Sequence, residues 1–414
     1  MERSELARLL GAPAGVVAEA RSGAVVVEDN DPSRFMAALA RAAAEGGAVM
    51  LASPAWGEAE RRQLAVLREQ AAVTPATAAG KGWLCIPTGG TGGRVKFARH
   101  DEDTISAAVG GFTRHFGLAQ VNAAGVLPLH HVSGLMAWMR CALTGGEYLP
   151  LDWKAVEAGA RPALPAKPDG WLLSLVPTQL ERLLGNEAAV AWLRGFRIIF
   201  LGGAPAWPEL LEAAAAQKLP LSLGYGMTET AAMATALRPD EFLAGKRSSG
   251  AALPHASVKI GAEGAVVIGG DSLFRGYHPE WRDRWDFVTA DHGSLDAGGH
   301  LHVAGRRDAV IITGGEKVAP SEVEGVLRGT GEFADVVVLG LPDAEWGEQV
   351  VAAYPADCQP DLARVEPVLD SRLAAAKRPK RYVSVAPWPA NSQGKVNRAE
   401  VARLVREKLT GGAK

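Results

Sequence analysis

The chain has 414 residues, 48% of them hydrophobic and 22% charged, with 44 Lys plus Arg against 46 Asp plus Glu for a net charge of −2. That length accommodates two or three domains with a large core, and the near balance of charge gives no electrostatic case for nucleic acid or an anionic membrane as partner. No apolar run is long enough to span a bilayer, and the charged start Met1-Glu2-Arg3-Ser4-Glu5 predicts no secretory signal.

Cys85, Cys141 and Cys358 are widely spaced and fit reduced, buried roles in a cytoplasmic protein. Over the first 80 residues amphipathic helices surround one strand candidate at 24–28. Phe35, Leu39 and Ala42 share one side of a helix predicted over 34–45. From Trp83 onward, apolar strands at 83–86, 125–129, 171–176, 197–201 and 219–223 alternate with helices. Residues 133–143 and 231–237 are read as helical. The alternation predicts an α/β fold with a largely parallel sheet and functional loops at the carboxyl ends of strands. Beyond Leu237, strands at 256–260, 264–268, 300–303 and 308–313 with glycine pairs between them predict a mainly antiparallel β subdomain. A helix starts at Pro320-Ser321, with Ser321 and Glu324 spaced as a capping box. A strand at 334–339, a helix at 361–373 and a strand at 381–385 complete a small α/β unit.

Two glycine-rich segments follow predicted strands. In Gly224-Tyr225-Gly226-Met227-Thr228-Glu229-Thr230 the glycines permit a tight turn and leave room for a flat ligand. Tyr225 offers a stacking face, Thr228 a hydroxyl at a helix start suited to phosphate, and Glu229 an oxygen ligand suited to Mg²⁺. The plain alternative is a strand–turn–helix corner with an exposed glutamate. Pro87-Thr88-Gly89-Gly90-Thr91-Gly92-Gly93-Arg94-Val95-Lys96 offers backbone N–H groups, hydroxyls and cations, a cradle for polyphosphate or else a surface turn. It matches neither a Walker A loop nor a dinucleotide fingerprint.

Taken in order, these segments resemble the adenylate-forming superfamily of acyl- and aryl-CoA synthetases, luciferases and peptide-synthetase adenylation domains. Thr88 to Lys96 is similar to its phosphate loop, and Pro128-Leu129-His130-His131-Val132-Ser133-Gly134 to its acyl-pocket motif. Gly202-Gly203-Ala204-Pro205 resembles its adenine turn, and Gly224 to Thr230 its magnesium and adenylate motif. Thr289-Ala290-Asp291 and Gly305-Arg306-Arg307-Asp308 resemble its ribose and hinge motifs. Gly314-Gly315-Glu316-Lys317 resembles its thiol-tunnel loop, and Gly394-Lys395-Val396 its catalytic-lysine motif. The phosphate loop departs from the family at Gly89 and Gly92, where hydroxyls are common, and at Val95, where proline is common. The stretch before it is short for the family, so part of the N-terminal subdomain is expected to be trimmed.

The resemblance implies a large N-terminal domain, residues 1–307, and a small mobile C-terminal domain, 308–414, pivoting at Asp308. It implies ATP, Mg²⁺, coenzyme A and a small-molecule acid as ligands, with homo-oligomerisation left open. Lys96, Thr88 and Thr91 would face pyrophosphate, with Gly89, Gly90, Gly92 and Gly93 lining the loop. Thr228 and Glu229 would face the α-phosphate and metal, Tyr225, Gly226 and Met227 the adenylate, and Asp291 and Arg306 the ribose. Lys395 would be catalytic, His131 would stand between acyl pocket and thiol tunnel, and Gly314 and Gly315 would line that tunnel. Each has a plain alternative: a turn acid for Asp291, a surface ion pair for Arg306, a solvated lysine for Lys395 and a core histidine for His131. A metal site from His130 and His131 is not expected, because neighbours on a strand face opposite ways.

His131-Val132-Ser133-Gly134-Leu135-Met136, Val176-Pro177-Thr178-Gln179-Leu180 and Leu201 to Trp207 resemble the o-succinylbenzoate–CoA ligase branch, of menaquinone and phylloquinone biosynthesis. Arg140 stands alone in an apolar helical stretch, where a cation is costly without an anion. That substrate has a second, unactivated carboxylate for Arg140 to hold; alternatively Arg140 snorkels to solvent or pairs with Glu147. Other acyl- or aryl-CoA ligases, a free-standing carrier-protein-loading enzyme and a binding-only pseudoenzyme remain competing readings.

Overall fold

A computed structural model describes residues 1–13, 24–73, 81–88, 94–282, 285–390 and 396–411. The first sheet joins the parallel strands Val25–Val27, Val49–Leu51 and Leu84–Thr88, and closes with Lys96–His100 antiparallel to the last. A seven-stranded sheet is parallel through Leu221–Met227, Ile198–Leu201, Leu172–Leu175, Ala123–Gly125 and Tyr148–Pro150. Its other end adds the antiparallel strands Ala232–Ala236 and Ala251–Ala252. Ile198–Leu201 is buried at every position, as an apolar strand covered on both faces must be. A third, antiparallel sheet holds Ala256–Ile260, Ala265–Gly270, Asp286–Leu295 and Leu301–Arg306. The expected α/β body with a β subdomain is therefore present.

Local chemistry accounts for the helices. In Pro32–Glu45, Asp31 caps the start by accepting from Arg34 N at 2.9 Å, Pro32 occupies the first turn, and Phe35, Leu39 and Ala42 are buried. Each such Leu or Phe contributes about 1.5–3 kcal/mol by leaving water. The C-terminal unit has its own five-stranded sheet and its own core, from Ile311 and Val318 to Leu369 and Leu373. It meets the large unit through an Arg372–Glu209 ion pair and a Ser321 hydroxyl that donates to Ala304 O at 3.0 Å. Arg381–Val385 falls as expected and pairs in parallel with Gly347–Pro355.

Four local expectations are corrected. Residues 231–237 do not form a helix. Ala231 and Ala232, at φ of 50° and 78°, reverse the chain, and Ala232–Ala236 pairs with the strand before it, so ladder hydrogen bonds override alanine's helical preference. The strand placed at 125–129 is Ala123–Gly125 instead, since Pro128 has no N–H for a ladder. Ser321 and Glu324 form no capping box. The N-cap is Ala319, and Glu324 accepts from Val338 N at 2.7 Å and Arg398 Nη1 at 2.6 Å. The strand placed at 334–339 is Val337–Asp343, because Asp335 turns to bind Arg328 and Val336 N.

Burial pushes His100, His130 and His255 down from 6.5 to about 4. All three are neutral when folded at pH 7, whereas the unfolded chain takes up their protons below about 6.5. Their contribution to stability is therefore full above that pH and is lost as pH falls from 6.5 toward 4. Each adds up to about 1.4 kcal/mol per pH unit in that window. Denaturant unfolding at pH 7.5, 6 and 5 should show stability falling ever more steeply, and equal stability at all three would contradict this assignment.

Candidate active site

The strand Leu221–Met227 runs straight through Gly224-Tyr225-Gly226-Met227. These glycines do not make a turn. A Cβ on Gly226 would lie 1.7 Å from Ala232 O, and one on Gly224 3.0 Å from Thr235 O, so both are required by the close approach of the neighbouring strand. The chain then turns through the short 3₁₀ segment Thr228–Thr230, and Thr230 Oγ1 ties its ends by accepting from Met227 N at 3.0 Å and donating to Ala232 O at 2.6 Å. The expected helix N-terminus at Thr228 is absent, because the following residues form a strand.

His100, fully buried at the end of Lys96–His100, donates from Nε2 to Thr228 O at 2.7 Å, which leaves Nδ1 as an acceptor 3.1 Å from Thr104 Oγ1. Glu229 is 8% exposed, contrary to the exposed glutamate of a plain corner. Its Oε1 accepts from the Tyr277 hydroxyl at 2.5 Å, and its carbonyl accepts from Phe274 N at 2.8 Å. Burial first, then the Glu229 charge, raise the Tyr277 phenol well above its ordinary range, so it stays a donor. Lys96 Nζ lies 5.3 Å from the centroid of the same ring. The Lys96 ammonium and the Glu229 carboxylate thus meet on two parts of one tyrosine.

The segment around Tyr277 is stitched along the edge of Lys96–His100. Arg275 N donates to Arg99 O at 2.8 Å, Arg99 N to Gly276 O at 3.0 Å, and His278 N to Phe97 O at 2.9 Å. Arg275 Nε and Nη2 grip the fully buried Asp101 at 2.8 and 3.2 Å. Burial alone would raise the Asp101 carboxyl, but Arg275 and the N–H groups of Thr104 and Gly82 hold it below the usual range.

On the other side of the motif the Tyr225 hydroxyl donates to Asp291 Oδ2 at 2.5 Å. Asp291 faces Arg306 across adjacent strands. Arg306 in turn forks onto Asp308, with Nε–Oδ1 at 2.7 Å and Nη2–Oδ2 at 2.5 Å. This pairing first, against some burial, raises the Arg306 guanidinium and lowers the Asp308 carboxyl. The ribose candidates and the hinge candidate are thereby linked in one chain of contacts.

Other candidates are more dispersed. Thr88 pairs with Lys96 across the antiparallel strands that flank the phosphate loop. Gly89, Gly90, Thr91, Gly92, Gly93 and Lys395 lie outside the described residues. Gly202, Gly203, Ala204 and Pro205 follow Ile198–Leu201 as a loop, with Gly203 at φ 83°. Gly314 and Gly315 form the hairpin turn between Ile311–Thr313 and Glu316–Val318, and Gly314 N donates to Trp346 O at 2.8 Å. His131 is the N-cap of the helix Val132–Thr144, whose first turn holds Ser133 and Gly134. A Cβ on Gly134 would lie 2.3 Å from Pro128 O. His130 and His131 are not on a strand, and their rings lie 4.5 Å apart. Among the described residues no group of three or more His, Cys, Asp or Glu could hold a metal ion.

Arg140 neither snorkels nor pairs with Glu147, which binds Lys167 at 2.6 Å. It is 5% exposed, its guanidinium carbon lies 4.0 Å from the Phe112 ring centroid, and its Nε has no hydrogen-bond partner among the described residues. Burial lowers it to about 10, so it is charged at neutral pH. A buried cation with no carboxylate partner among the described residues is costly to keep charged.

Tyr277, His100, Asp101 and Arg275 were not among the residues singled out from sequence. The Arg275-Gly276-Tyr277 run is an aromatic beside a glycine in a turn-rich stretch, a local signal without a stated partner.

Mg²⁺ fits this donor set. Glu229 has one oxygen taken by Tyr277 and the other without a partner among the described residues, which suits a cation held by one carboxylate and substrate phosphates.

A family described as AMP-binding enzyme matches residues 11–278. The 2-succinylbenzoate–CoA ligase of Listeria monocytogenes serotype 4b (strain F2365) is 34% identical over 286 residues, 66% of this chain and 59% of that ligase. The chain thus matches less than two thirds of that relative's length. The indoleacetate–CoA ligase of Aromatoleum aromaticum is 32% identical over 346 residues, 78% of this chain and 68% of that ligase. In fold, the chain is similar to the o-succinylbenzoate CoA synthetase of Bacillus subtilis solved with the acyl-adenylate intermediate OSB-AMP. The TM-score is 0.75 at 22% identity, over 96% of this chain and 91% of that one.

Proposed function

The chain belongs to the AMP-binding enzyme family, and on that premise we propose that it is an AMP-forming acid–thiol ligase that activates o-succinylbenzoate with ATP and transfers the acyl group to coenzyme A. The observation that carries the reading is the convergence of Lys96, Glu229 and Tyr277 with Tyr225 and Asp291 on the two sides of one motif.

In the first half-reaction the substrate carboxylate attacks the α-phosphorus of ATP, and pyrophosphate leaves with the bonding pair. Thr228 and Lys96 present a hydroxyl and an ammonium to the phosphates, and Glu229 would hold Mg²⁺, which supplies charge neutralisation at the phosphate oxygens when bound. Thr88, Gly89, Gly90, Thr91, Gly92 and Gly93 are assigned to the pyrophosphate side by resemblance, and Gly202 to Pro205 with Tyr225 to the adenine side. Asp291 accepts from ribose hydroxyls, and Arg306 lies across the ladder from it. In the second half-reaction the coenzyme A sulfur attacks the acyl carbon and AMP leaves. Gly314 and Gly315 are assigned to the thiol path, His131 to its border with the acyl pocket, and Asp308 to the pivot at the 307/308 boundary. A cytoplasmic setting is part of this proposal. Among the described residues no helix is long and apolar enough to cross a membrane.

Arg140 favours a diacid. Its Nε has no hydrogen-bond partner and its buried charge no carboxylate partner among the described residues, and o-succinylbenzoate brings a carboxylate beyond the one activated. An acid with one carboxylate, as the name indoleacetate–CoA ligase describes for that relative, would leave it uncompensated.

Two outcomes test the reading. With ATP, Mg²⁺, o-succinylbenzoate and coenzyme A the protein should form AMP and a thioester. Lys395→Ala should depress adenylate formation by about 10²–10³-fold or more while still converting preformed acyl-adenylate to thioester. ADP as product, or equal loss of both steps, would contradict it. Arg140→Ala should lose about 10- to 150-fold in kcat/KM for o-succinylbenzoate with ATP affinity unchanged, and Arg140→Lys should recover part of it. Unchanged discrimination between o-succinylbenzoate and its analogue lacking the aromatic carboxylate would remove Arg140 from the site.

A further inference from the structure

We propose that Tyr277 is a positioning residue that keeps Glu229 and Lys96 apart, so that the carboxylate stays free for a divalent cation and the ammonium for the triphosphate. This rests on the functional reading above and adds a residue to it.

An acid and a base beside the same side chain would ordinarily neutralise each other. Here neither does so. Among the described residues no ion pair joins Glu229 to Lys96, and the one side-chain partner of the Glu229 carboxylate is the Tyr277 hydroxyl, 2.5 Å from Oε1. Lys96 lies over the face of that same ring, 5.3 Å from its centroid, where the ring quadrupole attracts a cation without consuming its charge. The phenol is thus a neutral donor at one end and a neutral π-face at the other. Each end holds one of two opposite charges.

Tyr277 can do this because its backbone cannot drift. Gly276 O and His278 N are bonded to Arg99 and Phe97, Ala98 bridges Tyr277 directly, and Phe274 packs edge-on with centroids 4.9 Å apart. Phe274 N also holds Glu229 O at 2.8 Å, so phenol and carboxylate are placed from one short segment. With Oε1 occupied, Oε2 is the oxygen left for a cation, and its direction is set by the hydrogen bond rather than by free rotation of the glutamate. The electrostatic benefit lies in what is prevented: a collapsed Lys96–Glu229 pair would have to break before Mg²⁺ and phosphate could enter.

The test is calorimetric binding of ATP to the full chain, in EDTA and in Mg²⁺, with no acid present. Tyr277→Phe keeps the ring face and removes the hydroxyl. It should leave ATP affinity in EDTA within about twofold while reducing the Mg²⁺-dependent gain in affinity about tenfold, the size expected for a charge-assisted hydrogen bond. Glu229→Gln should lose the same gain, and adding Tyr277→Phe to it should cost nothing more. Equal weakening in EDTA and in Mg²⁺ would make Tyr277 a merely structural residue and overturn the proposal. Losses that multiply in the double variant would show that Tyr277 does not act through Glu229, and would also overturn it. A parent protein whose ATP affinity is indifferent to Mg²⁺ would instead sink the underlying functional reading, and the proposal with it.

Discussion

The buried ion pair of Asp101 and Arg275 is the constraint from which the site follows. Asp101 follows the last strand of the first sheet and caps the helix Glu102–Phe116 through Thr104 N at 3.1 Å. Arg275 lies 174 residues later, just before the third sheet's long strand. Their contact draws the 274–278 segment onto the edge of Lys96–His100, and that register brings Tyr277 to Glu229 and Lys96 to Tyr277. A fully buried carboxylate without its partner costs about 3–5 kcal/mol, so the stitch is hard to undo locally. It also carries no catalytic group, so tight fastening here does not restrict the residues that meet ligand.

The second-sheet motif is fastened independently. Gly224 and Gly226 let Ala232–Ala236 approach without side chains between the backbones. Thr230 and His100 then take up backbone polar groups of the turn, and the Thr228 hydroxyl and the Glu229 carboxylate are the groups to which the proposal gives ligand roles. On its far side the same strand gives Tyr225 to Asp291, and Asp291 lies across from Arg306, which holds Asp308. A nucleotide that engages Arg306 would compete with Asp308 for it. This places the proposed ribose end of the site in electrostatic contact with Asp308, the proposed pivot.

Much of this was legible in the residues. Continuous apolar runs marked Leu172–Leu175 and Ile198–Leu201, and the glycine-punctuated strands after Leu237 marked the antiparallel sheet. At 224–230 the local structure differs from the reading of a glycine turn. Its glycines answer to a neighbouring strand rather than to a turn, and the alanines after it are strand because partners outweigh propensity. Tyr277 and His100 were not legible as site residues. Their bonds to Glu229 and Thr228 span 48 and 128 residues, and no spacing rule reaches that far. Arg140 was legible as an anomaly, a charge in an apolar helix, but only its buried position beside Phe112 excluded the surface alternatives.

The central claim is that these groups assemble an adenylation site. The most direct measurement is exchange of labelled pyrophosphate into ATP in the absence of coenzyme A, since only reversible formation of an acyl-adenylate returns pyrophosphate to the nucleotide. The account predicts exchange that requires both Mg²⁺ and o-succinylbenzoate. Absence of acid-dependent exchange under conditions where ATP binds would contradict it.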